Sequence, residues 1–196
     1  MEMRQKELQF FIKFFQNLKL MNYQVLLLEC KFFFEILFKI SLANPIGYKS
    51  NQKLFVDGVD LNQIFPGKLD GCESEIYAHN FFHRVITQLE YLIDLHTLEY
   101  ARVISYHVRA DMTDKICSDM ALLQNADIIL PDNTKISKGS LVEAAMKIGI
   151  KGIYVSFGDS TKSNERLEKV FIDSTLKTMV KKIESFDSND LLFRII

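Results

Sequence analysis

Cysteine is scarce in this sequence, and its placement excludes two kinds of scaffold. Cys30, Cys72 and Cys117 are odd in number and widely spaced, so neither a disulfide framework nor a CxxC metal knuckle is encoded, and reduced intracellular thiols are expected. An excess of basic charge is also missing. Lys and Arg number 24 against 25 Asp and Glu, for a net charge of −1. Without clustered Lys and Arg to displace counterions from phosphates, no nucleic-acid partner is expected. A long uncharged apolar run is absent too. Val25 to Ala43 is rich in Phe, but Glu29, Lys31, Glu35 and Lys39 fall inside it, each costly in hydrocarbon, so no membrane span is expected. The opening MEMRQKEL does not follow the basic, apolar and small-residue order of a secretion signal, which makes the cytoplasm the expected compartment. Histidine is sparse: His79, His83, His96 and His107, with none before position 79.

What is present describes one folded unit. A chain of 196 residues with 48% hydrophobic content suffices for one core and is short for two, so residues 1–196 are read as a single domain. Leu8, Phe11, Phe14, Phe15 and Leu18 recur at helical spacing in residues 5–20. Two apolar stretches follow, 25–28 and 32–40, whose periodicity does not separate buried strands from helix. Residues 44–71 hold two of the three prolines and four glycines, the composition of an ordered loop with little regular structure. Helices are expected over 73–88, 115–125 and 140–148, with Gly149 as the stop of the third. Strands are expected over 91–95, 103–108, 127–130 and 152–157. A last helix starts at Ser163 and runs to Ile183. Strands separated by helices indicate an α/β fold, a layered mixed sheet flanked by helices.

Two motifs carry the chemistry: VDGVDLNQIFPG at Val56 to Gly67, and LIDLHT at Leu92 to Thr97. Together with the Asn44-Pro45-Ile46-Gly47-Tyr48 turn, RVISYHVRADM at Arg102 to Met112, and KGSLVEAAMKIGIKGIYVSFGD at Lys138 to Asp159, they make the chain similar to the succinylglutamate desuccinylase/aspartoacylase family of zinc-dependent hydrolases. The resemblance runs in order from residue 43 to 183. Residues 1–42 diverge. It implies a zinc carboxypeptidase-like fold, incomplete relative to the family.

The resemblance also assigns residues. His96 matches a zinc-binding His, and Asp94, two positions earlier on the same strand face, either orients that imidazole or is a buried carboxylate bonded to loop backbone. Lys53 stands where the family has a carbonyl-polarising Arg, and Asn62 matches a substrate-binding Asn. Gln63 replaces an Arg that holds the substrate carboxylate, and Arg102 and Arg109 fall in the downstream segment that recognises an acidic group. The implied partner is a small carboxylate-bearing substrate, and the implied cofactor is zinc.

Departures from the pattern are equally specific. The family's HxxE motif, which gives two zinc ligands before the Asn-Pro turn, has no counterpart, and Ser156 occupies the position of the general-base Glu. A hydroxyl cannot take a proton from metal-bound water as a carboxylate does. His96 and Glu99 have HxxE spacing, but residues three apart on a strand face opposite sides unless the chain turns between them. His79 and His83 share a helix face and could pair on a metal; packing is the plainer role. His107 is read as a packing residue. Two functional classes remain: a zinc hydrolase of N-acyl amino acids or related amides and esters with impaired catalysis, or a non-catalytic descendant, either one that binds a small molecule or protein or a decayed or truncated gene product.

Overall fold

The computed structural model describes residues 26–30, 36–40, 43–50, 52–98, 104–131, 138–159, 170 and 173–174. The helix expected over 5–20 lies outside them, as does most of the one expected from Ser163 to Ile183. Six strands form one sheet: β1 (Leu26–Cys30), β2 (Ile36–Ile40), β3 (Leu89–Leu98), β4 (Ile104–Ala110), β5 (Ile128–Pro131) and β6 (Lys151–Asp159). Their spatial order is β2-β1-β3-β6-β4-β5. The sheet is mixed: β3 with β6 and β4 with β5 are parallel, whereas β1 with β2, β1 with β3 and β4 with β6 are antiparallel.

Alternation along β3 sorts its side chains onto two layers. Leu92 packs with Ala78, Phe82 and Ile86 and with Leu141, Val142, Ala144 and Ala145, and Leu89, which lies before a register irregularity at the start of β3, joins the same layer. Ile93 and Leu95 turn the other way, joining Val108, Ile153 and Val155 against Cys117, Met120 and Ala121. The first layer belongs to α2 (Glu73–Arg84) and α4 (Leu141–Lys147), the second to α3 (Lys115–Leu123). Gly152, the partner of Leu92 across the sheet, lets α4 lie close, because a Cβ there would sit 3.0 Å from the Val142 side chain.

Two expectations are corrected. Residues 45–50 are not loop but a short helix, α1 (Pro45–Ser50). Asn44 Oδ1 accepts the Gly47 N–H at 2.8 Å while its amide donates to Lys53 O at 2.9 Å, and proline suits a first helical position, where its missing N–H is not needed. The helix expected over 73–88 stops at Arg84, and Ile86–Gln88 tighten into a 3-10 turn that buries Ile86 before β3 begins. Gly149 ends α4 as expected, with φ at +91° and its N–H on Met146 O at 3.0 Å.

Candidate functional site

Strand pairing assembles six polar or aromatic side chains on the α2/α4 side of the sheet. Asp94 lies beside Tyr154 and His96 beside Ser156 on β3 and β6. On the other flank of β6, Arg109 lies beside Tyr154 and His107 beside Ser156. Directly paired residues share a face, so the site is two rows of three, Asp94–Tyr154–Arg109 and His96–Ser156–His107.

Asp94 is fully buried, and its Oδ2 lies 2.8 Å from His96 Nε2. The distance is that of an ion pair, although the angles are not those of an aligned hydrogen bond. The His96 ring stacks on Tyr154 at 4.2 Å between centroids and 20° between planes. Arg109 lies over the same Tyr154 ring, 5.5 Å from its centroid. Burial above all, and then the Asp94 charge, push the Tyr154 phenol above its ordinary pKa. Ser156 is buried. His107 is buried as well, and its Nδ1 donates to Ser105 O at 3.1 Å.

The loop residues expected to meet substrate are engaged within the protein. Lys53 pairs with Asp60 at 2.9 Å, and Gln63 Nε2 donates to the same carboxylate at 3.4 Å. Asn62 Oδ1 accepts the Leu141 N–H at 2.8 Å, capping α4. Arg102 and Glu99 lie outside the described residues. β3 continues to Leu98, with a register shift after His96. The His79 and His83 rings lie 4.2 Å apart on α2. Tyr154 and Asp60 were not singled out from sequence. Tyr154 was accessible to such reasoning, since it shares a strand face with Ser156 two residues on.

Zinc can be tested against this donor set. Among the described residues no three His, Cys, Asp or Glu side chains converge. The neighbours of the Asp94–His96 pair across the sheet are a phenol, a hydroxyl and a guanidinium, of which the last repels a cation. A hydrolytic zinc needs three protein ligands and an open position. The described residues do not fit it.

Residues 28–182 match the succinylglutamate desuccinylase/aspartoacylase catalytic domain. The chain belongs to this family. Solved structures agree on the fold. The product-bound ectoine utilization protein EutE from Ruegeria pomeroyi superposes with a TM-score of 0.66 at 16% identity, over 75% of this chain and 46% of that one. A succinylglutamate desuccinylase/aspartoacylase from Rhodobacter sphaeroides gives 0.62 at 17%, over 73% and 44%. The chain therefore spans less than half the length of these relatives. No curated protein matches it in sequence. The mixed sheet with helices on both faces is the layered architecture expected of this zinc carboxypeptidase-like family, and no helix among the described residues is long and apolar enough to cross a membrane.

Proposed function

We propose that this desuccinylase/aspartoacylase-type domain has lost efficient hydrolysis of N-acyl amino acids and related amides or esters, and acts as a non-catalytic binding protein. The observation that supports this reading is the company His96 keeps. Its neighbours within the two rows are Asp94, Tyr154 and Ser156. Of these, Asp94 lies 2.8 Å from the imidazole, Tyr154 has a phenol pushed upward by burial, and Ser156 is a buried hydroxyl where the family resemblance calls for a carboxylate base. A neutral hydroxyl does not take a proton from water as a carboxylate does.

A retained zinc hydrolase is the second reading, favoured by the Asp94–His96 pair, which sets a carboxylate 2.8 Å from an imidazole, the pairing that metal-binding histidines use. Metal analysis of the purified chain, combined with turnover of a panel of N-acyl amino acids, separates the two. Substoichiometric zinc and background turnover, both unchanged in His96→Ala, are expected. Stoichiometric zinc that disappears in His96→Ala, with turnover above background, would reverse the assignment.

A further inference from the structure

We infer that His79 and His83 on α2 chelate one divalent transition-metal ion of right-angle coordination, the class of Ni(II) and Cu(II). The pair belongs to a helix and not to the strand that carries His96, and the inference does not depend on whether hydrolysis is retained.

Residues four apart on a helix lie one above the other on a single face. Here the two imidazoles touch, 4.2 Å between centroids and 43° between planes. A metal lies in the plane of each imidazole that binds it, so parallel stacked rings could not share one ion. Planes inclined at 43° meet along a line, and one ion on that line lies in both. The spacing selects the metal. With metal–nitrogen bonds of about 2.1 Å, two ring centroids stand about 4.5 Å apart across a right angle and about 5.2 Å apart across a tetrahedral one. The observed 4.2 Å lies on the right-angle side, which suits tetragonal and octahedral ions better than tetrahedral zinc.

One nitrogen already awaits a partner. His79 Nδ1 is buried and has no hydrogen-bond partner among the described residues. A proton on it would be a buried donor without an acceptor, so the favourable tautomer keeps a lone pair there, and a neutral imidazole lone pair is what a metal takes up. His83 is exposed, so its ring can turn to admit the ion. Glu75 stands one turn before His79, but its carboxylate is held by Lys68 Nζ at 2.8 Å and by the Cys72 N–H at 3.1 Å. Among the described residues no third His, Cys, Asp or Glu joins the pair, so water completes the coordination and the metal is held reversibly, as a clamp across one turn of α2.

Titration of the full chain with nickel chloride and with zinc chloride, followed by calorimetry and by the NMR signals of the histidine rings, tests this. Paramagnetic Ni(II) is expected to broaden the His79 and His83 signals before those of His96 and His107, and Zn(II) to bind more weakly; neither observation needs a variant to fold. His83→Ala removes an exposed ring and puts a strong helix former in its place. It should weaken Ni(II) by about tenfold or more, the loss on turning a two-point attachment into one. Ni(II) should also raise the urea midpoint of the wild type, since it binds the folded helix, and raise that of His83→Ala far less. Broadening that begins at His96 or His107, Zn(II) binding more tightly than Ni(II), or undiminished Ni(II) affinity in His83→Ala overturns the inference. Loss of zinc or turnover in His96→Ala bears on the hydrolase reading and on none of these outcomes.

Discussion

Asn62 caps a helix that begins 79 residues later: its Oδ1 accepts the Leu141 N–H at 2.8 Å. Ser140 Oγ accepts from Glu143 N at 3.2 Å, and the Glu143 carboxylate accepts from Gly139 N at 2.7 Å. The motif residue expected to touch substrate thus fastens the DLNQ loop to the start of α4, the helix that covers one face of the sheet. Capping groups of this kind contribute about 0.5–2 kcal/mol. Asn62→Ala should lower the unfolding free energy by about 1 kcal/mol, and Asn62→Asp, which keeps an acceptor near a helix N-terminus, should lose less. Urea denaturation measures both. A midpoint for Asn62→Ala equal to wild type would show that the cap contributes nothing.

The same junction makes Gly139 distinguishable from Gly149. Both have positive φ, +82° and +91°. A Cβ on Gly139 would lie 2.0 Å from Gln63 O, whereas one on Gly149 meets nothing within 4 Å. Gly149→Ala should therefore cost only the backbone strain, about 1–2 kcal/mol. Gly139→Ala must also displace the Gln63 carbonyl and disturb the Phe65 N–H bond to Gly139 O at 2.8 Å. We expect it to cost at least about 1 kcal/mol more, the scale of one lost hydrogen bond. Equal losses in equilibrium unfolding would remove the close approach from the account.

Local pattern was enough to read β3, where Leu92, Asp94 and His96 alternate with Ile93 and Leu95, and enough to put Asp94 and His96 on one face. It was not enough to read the site. Arg109 reaches Tyr154 only because β6 inserts between β3 and β4, a strand order that no local spacing encodes. Asn62 was legible as a motif residue, but its partner lies across a contact set by tertiary packing. α1 failed for a different reason. Its Asn44-Pro45 start is a helix signal, outweighed in the sequence reading by the surrounding density of Gly and Pro.

The described thiols should differ sharply in reactivity. Cys72 is exposed at the start of α2. Cys117 is fully buried, and burial, with the nearby Asp114 charge adding to it, pushes its thiol up from 9.0 to about 11. The thiolate is the reactive form, and two pKa units leave roughly a hundredfold less of it at a given pH. Iodoacetamide at mildly alkaline pH should label Cys72 in the native protein and Cys117 only after denaturation, as read by peptide mass mapping. Native labelling of both at one rate would contradict the burial of Cys117.

Asp114 couples α3 to β6 in a way that pH can read. Its Oδ1 accepts the N–H groups of Ile116 and Cys117 at 2.9 and 3.0 Å, and its Oδ2 meets Lys151 Nζ at 2.5 Å. Burial is the largest single influence and raises the carboxyl, but Lys151 and the backbone donors together outweigh it, holding the pKa below the ordinary 3.8. A carboxyl depressed by folding contributes stability that is complete above its unfolded value and is lost as pH falls through the folded value. Lys151 is raised, chiefly by its hydrogen bond to Asp114, so its contribution is complete below the ordinary 10.5 and is lost only as pH climbs past the folded value. Between these limits the pair should be insensitive to pH. Asp114→Asn keeps the capping oxygen and removes the charge, so at neutral pH it should cost up to about 1 kcal/mol, the usual ceiling for a partly exposed ion pair. Below 3.8 the wild-type carboxyl protonates as well, and the gap between variant and wild type should close. Asp114→Ala also loses the cap, and should stay less stable than wild type by about 1 kcal/mol even in acid. Urea midpoints across a pH series decide the matter, because an Asp114→Asn gap of constant size from neutral to acid pH would mean that the ion pair is not what the substitution removes.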